Sequence, residues 1–166
     1  MYTSVKAFIS DWKYESEATL KLLNNLTDKS LGQKVWAEGR TLGFLAWHVT
    51  LSIGEMTTKI GLNPDCPPED TKMPTKAIDI KNIYEKASVS LISELESKLK
   101  DENLNDEVDA YGQTFTKAQM LKMLNGHQIH HRGQMTVLMR QAGLKVPGIY
   151  GPSKEEWASY GMDAPE

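Results

Sequence analysis

The chain has a single cysteine, Cys66, among 166 residues. One thiol closes no internal disulfide and supplies no Cys-rich zinc site, which points to a reducing, cytoplasmic setting. Long apolar runs are missing too. No stretch approaches the ~18 consecutive apolar residues of a membrane-spanning helix, and Met1 to Asp11, broken by Lys6, lacks the apolar run of a signal peptide. A basic excess is absent. Nineteen Lys and Arg stand against 22 Asp and Glu, a formal net charge of −3, which leaves no global footprint for nucleic acid. There is no phosphate-cradling glycine-rich loop, no Gly-x-Ser-x-Gly elbow and no dinucleotide fingerprint, so nucleotide and serine-hydrolase chemistry drop out. The acidic run Asp101, Glu102, Asp106, Glu107 and Asp109 lacks the glycine and terminal Glu of a calcium loop and reads as a solvated loop. Internal repeats are lacking, and the 40% hydrophobic, 25% charged composition is that of one folded domain over residues 1–166.

What is present is helical periodicity. From Thr3 to Asn25, Val5, Phe8, Ile9, Trp12, Ser16, Thr19, Leu23 and Leu26 recur at spacings of three and four, one mostly apolar face. A loop follows to Arg40. Thr41 caps a second helix that runs to Ile60 and stops at Gly61. This helix is apolar on two sides, so it lies centrally in its bundle or also meets a partner. Pro64, Pro67, Pro68 and Pro74 make the next stretch a loop, and Thr75 or Asp79 opens a third helix reaching Lys100. Glu107 to Phe115 alternates weakly, allowing a short strand. Thr116 caps a fourth helix through Ala142, closed by Gly143, and Ser153 with Glu156 forms a capping box for a short C-terminal helix through Tyr160. The expected fold is all-α: a four-helix bundle with a short C-terminal helix.

Three of the four histidines crowd into Gly126-His127-Gln128-Ile129-His130-His131-Arg132-Gly133-Gln134. With Met120 as zero and ~100° per residue, His127 falls at about −20° and His131 at about +20°, in the middle of the apolar stripe, with His130 on its flank at about −80°. Two imidazoles four residues apart share a helix face and can bind one metal; hydrogen bonds to Tyr, Glu or carbonyl groups are the alternative use of such a pair. The fourth, His48, lies midway along the second helix and shares a face with Phe44, Leu51 and Glu55. A bundle can bring it in as a third ligand, and three imidazoles on a divalent ion leave an open position. Glu55 reads either as support for that site or as a solvated or Lys-paired charge.

The runs Gly43-Phe44-Leu45-Ala46-Trp47-His48-Val49 and His127 to Gln134, with the Gly143-Leu144-Lys145-Val146-Pro147 exit and the order of all four helices, resemble the DinB/YfiT-like family. The resemblance covers nearly the whole chain. It implies a divalent-metal-binding bundle, with nickel or zinc on His48, His127 and His131, and a homodimer. It also implies a metal-dependent enzyme, either a thiol-dependent S-transferase using a low-molecular-weight thiol or a hydrolase. The alternative is a non-catalytic, metal-stabilised bundle acting as a dimeric binding or stress-response protein. The substrate is expected to be a small molecule, with neither nucleic acid nor membrane as partner.

Around the triad, Gln134 at about −40° comes within reach of the site, and its alternative is an interhelical hydrogen bond. His130 reads as an outer support or as an exposed imidazole. Arg132, at about +120°, is expected on the surface or in a dimer salt bridge, and Gly133 is expected to admit a close neighbouring helix. Tyr150, Trp157 and Tyr160 are expected to fold over the bundle's end, and Met120, Met123, Met135 and Met139 to pack the core.

Overall fold

Local capping sets where the helices begin. In the computed structural model, which describes residues 1–165, Ser4 accepts from the Ala7 amide and starts α1, Val5–Leu23. Thr41 accepts from the Phe44 amide and starts α2, Leu42–Thr58. Thr116 and Gln119 form a reciprocal capping box at the head of α4, Lys117–Gln141. The third helix, α3, is Ala77–Lys98, and here the sequence expectation is corrected. Neither Thr75 nor Asp79 caps it; the Ala77 amide donates to the Asp28 carboxylate at 2.8 Å, from the segment after α1. The reverse happens at the other end, where the Val5 amide of α1 donates to Asp101 at 2.7 Å. Each carboxylate therefore satisfies an orphan helical donor on a neighbouring element, and together they pin α1 and α3 antiparallel. Part of the supposed solvated acidic loop is thus a cap, and its 3₁₀ turn Asp101–Asn105 buries Leu104.

The four helices close into one bundle in which α1 and α2 are each flanked by α3 and α4. The core runs through Phe8, Trp12, Leu22, Leu42, Ile53, Ile80, Leu91, Leu95, Leu121, Leu124 and Met135. Met120 and Met139 are buried as expected. The second apolar side of α2 is covered by this chain itself. The proline-rich segment after α2 doubles back along it: Cys66 donates to Thr50 O, Trp47 Nε1 donates to Thr71 O at 2.8 Å, and Met73 lies against Gly43. A side chain at Gly54 would put its Cβ 2.9 Å from that of Cys66, so glycine is what lets the strap lie flat.

Two short strands, β1 (Glu107–Ala110) and β2 (Gln113–Thr116), pair antiparallel with Val108 opposite Phe115. Tyr111 and Gly112 turn between them with φ of +53° and +74°, the left-handed pair that a two-residue hairpin requires. The C-terminal helix is a 3₁₀ segment, Lys154–Tyr160; Glu156 reaches back to the Ser153 amide as expected, while the Ser153 hydroxyl is left without a partner. No helix of the described residues is long and apolar enough to cross a membrane.

Candidate metal centre

Midway along the bundle, α2 and α4 bring three imidazoles to one point. His48 Nε2 lies 3.0 Å from His127 Nε2, and His131 Nε2 lies 3.2 Å from the same atom. One nitrogen from each of the three rings falls within 4.8 Å of the others. The helical i, i+4 spacing places His127 and His131, while His48 arrives across the α2–α4 seam. Phe44, one turn before His48, stacks on its ring at 5.9 Å, and the Arg40 guanidinium lies 4.8 Å over Phe44.

All three rings are held neutral. Burial lowers His48, and the charges of His131 and Arg40 add to the effect. Burial also pushes His127 down to about 4, with His131, His48 and His130 contributing. His131 is lowered mainly by burial, opposed by its hydrogen bond to Gln134.

Proton accounting then decides what these contacts can be. Gln134 Oε1 is an acceptor only, so at 2.7 Å it accepts a hydrogen bond from His131 Nδ1–H. A neutral His131 is left with a bare lone pair on Nε2. The contact to His127 therefore needs a proton on His127 Nε2, and a protonated Nε2 has no lone pair for His48. One hydrogen cannot properly serve two contacts of 3.0 and 3.2 Å. A cation facing three lone pairs satisfies all of them, and ligand nitrogens around a tetrahedral zinc stand about 3.3 Å apart. The donor set fits a divalent ion, and the hydrogen bond to Gln134 fixes the orientation of the His131 ring. His127 Nδ1 is buried without a hydrogen-bond partner.

A family model described as the DinB family matches residues 1–166. The chain belongs to the DinB family. It is 45% identical to the uncharacterized protein YrdA of Bacillus subtilis (strain 168), over 100% of this chain and 99% of that protein. A crystal structure of a DinB-like protein from Bacillus cereus ATCC 10987 superposes with a TM-score of 0.87 at 41% identity, covering 90% of this chain and 100% of the other. A second DinB-like structure, YjoA of Bacillus subtilis, has a TM-score of 0.67 at 22% identity over 82% of this chain and 92% of its own, and shows the fold alone. The DinB bundle and the chain-wide resemblance stand as expected from the sequence.

Three expectations on α4 are corrected. Its buried arc runs from Leu138 near zero to Asn125 at about +140°, centred on Gln128 at about +80°. His127 and His131 therefore sit at the edge that faces α2, not in the middle. Arg132 is not on the surface: it is 2% exposed. Its guanidinium pairs with the Glu15 carboxylate and donates to Glu15 O at 2.8 Å and to the Tyr150 hydroxyl at 2.6 Å. The reason is that α4 is wedged between α1 and α2, so its covered arc reaches round to Arg132 at about +120°. Gly133 admits no helix; it is exposed and a Cβ there would meet nothing within 4 Å.

Glu55 contacts none of the imidazoles. Its carboxylate accepts from the Tyr111 hydroxyl at 2.8 and 2.9 Å and pairs with Lys59 at 3.3 Å. His130 is exposed, with its ring centroid 4.8 Å from that of His131. Of the tail, Tyr150 bonds through its hydroxyl to Glu15 and Arg132, yet its side chain is as exposed as that of Tyr160.

Sequence reasoning missed Gln128. Fully buried beside His127, it accepts from Tyr84 Oη at 3.1 Å and donates to Val49 O at 2.7 Å and Ser52 Oγ at 3.2 Å, with Thr19 Oγ1 at 3.5 Å. It ties all four helices together next to the triad. An amide flanked on the wheel by Leu121, Leu124 and Met135 was the available signal.

Proposed function

We propose that this DinB-family chain is a metal-dependent enzyme in which His48, His127 and His131 hold a nickel or zinc ion and leave a coordination position for a small-molecule ligand. The observation that carries the reading is the proton deficit of the three Nε2 atoms: two short contacts share one available hydrogen. Three neutral imidazoles without a thiolate suit an open, reactive centre better than a closed structural one. A divalent ion bound there lowers the pKa of a coordinated water or thiol and so supplies a nucleophile near neutral pH.

This chain's residues set the surroundings. Gln134 orients His131, Gln128 fixes the α4 backbone beside His127, and Phe44 walls off one face of His48. Among the described residues no carboxylate contacts the triad, and Glu55 is engaged by Tyr111 and Lys59. Hydrolysis assisted by a carboxylate base is thus less well served than transfer to a nucleophile brought by a low-molecular-weight thiol. S-transfer is the favoured reaction class, in a cytoplasmic homodimer.

The test is metal per chain, measured by elemental mass spectrometry on protein purified without a histidine tag, alongside His48→Ala and His127→Ala. Near-stoichiometric nickel or zinc, lost in both variants, supports the reading. Metal retained in both, or absent even after reconstitution, refutes it. A metal-stabilised bundle without a reaction differs in a second readout: chelator lowers the melting temperature, yet small thiols leave the ion's coordination unchanged.

A further inference from the structure

A cleft of about 380 Å³ opens along α2 beneath the returning strap. His48 lines one end together with Phe44, Trp47 and Met73, Glu55 and Glu69 line the other, and Leu51 and Ser52 lie between them on α2. His48 and Glu55 stand seven residues apart on one stripe of α2, a rise of about 10 Å. The cleft reaches the triad directly, because His48 belongs to both.

Its two ends differ in charge. At the imidazole end the nearest fixed charge is Arg40, stacked over Phe44. At the far end Lys59 offsets one of the two carboxylates, and Glu69 forms no ion pair among the described residues. The excess there is one negative charge. Trp47 has its indole N–H committed to Thr71 O, so it offers the cleft only a ring face. Glu55 is locked in place by the Tyr111 hydroxyl, itself pushed well above the usual phenol range by burial and by its bond to Glu55, with Glu69 adding a smaller push. A carboxylate held in place and an uncompensated one beside it together form a receptor for an organic cation.

We propose that this cleft selects the substrate of the triad, and that it takes an elongated molecule with a cationic amine at one end. The other end is an electron-pair donor, delivered to the imidazoles about 10 Å away. Leu51 and Ser52 lie along the middle, Phe44, Trp47 and Met73 close the imidazole end, and Glu55 with Glu69 holds the ammonium group. The inference rests on the metal reading above and adds the substrate's class and length.

The experiment uses the cobalt(II)-reconstituted full chain and three thiol probes: 6-aminohexanethiol, its neutral isostere 6-mercaptohexanol, and the shorter 2-aminoethanethiol. Binding is read from the thiolate-to-cobalt charge-transfer band. The long aminothiol is expected to bind about three- to tenfold tighter than 6-mercaptohexanol, the size of a partly exposed charge contact. The short aminothiol is expected to gain nothing over the alcohol. Glu69→Gln, an exposed substitution that leaves the bundle and its cobalt content intact, should abolish the preference. Cobalt bound with no preference for the long amine, or a preference unchanged in Glu69→Gln, overturns the inference alone. Failure to bind cobalt overturns the metal reading and the inference with it.

Discussion

Replacing Gln128 with leucine removes the polar hub of the bundle while keeping much of its volume. The cost follows from which partners are left bare. Thr19 still donates to Glu15 O at 3.1 Å, and Ser52 still donates to Val49 O at 3.0 Å. Tyr84 is worse placed: its hydroxyl is fully buried, Gln128 Oε1 is its acceptor, and the neighbouring Thr19 hydroxyl already accepts from Arg132. One orphaned buried hydroxyl costs about 1–3 kcal/mol. Gln128→Leu should therefore lose about 2 kcal/mol in urea unfolding of the metal-free protein, moving the midpoint by about 1 M at unchanged slope. Adding Tyr84→Phe removes the orphan, so the double variant should recover most of that loss, although Tyr84→Phe alone in the parent chain costs about 1 kcal/mol. The sign reversal is the decisive reading. Should Tyr84→Phe destabilise the Gln128→Leu background further, the hub argument is wrong.

Further outcomes follow from the same contacts. Arg132→Met strands the buried Glu15 carboxylate and should cost about 3–5 kcal/mol in the same denaturation assay, whereas pairing it with Glu15→Leu should restore most of the loss. Gly133→Ala adds a methyl to open space in a helix interior and should stabilise by about 1 kcal/mol, with metal content unchanged. Acid should weaken the metal-free fold: the unfolded chain takes up protons on His127 below its ordinary pKa of 6.5, while the folded site resists until about 4. Stability is thus full above 6.5 and falls as pH drops toward about 4, and thermal melts across that range should flatten in His127→Ala. An unchanged slope in that variant would assign the acid response elsewhere.

Helix positions were readable because their causes are local. The caps at Thr41 and Thr116, the return of Glu156 to the Ser153 amide and the stop at Gly143 depend on side chains within a few residues of the backbone groups they satisfy. The start of α3 was not readable, because its cap is Asp28, 49 residues away. The wheel of α4 misled for a related reason. Apolar residues marked only part of its covered surface: Gln128 and Arg132 are buried through partners on α1, α2 and α3, and Asn125 through Tyr2 ahead of α1, none of which the wheel contains.

The same division runs through the candidate site. Residue type and i, i+4 spacing sufficed to pair His127 with His131 and to single out His48, because helical geometry is fixed by the backbone itself. The meeting of His48 with His127 at 3.0 Å, the tying of Glu55 to Tyr111, and the cleft under the strap depend on which helices become neighbours. That choice belongs to the packing of the whole chain, since a side chain's partner across a seam is set by the burial of every other face at once.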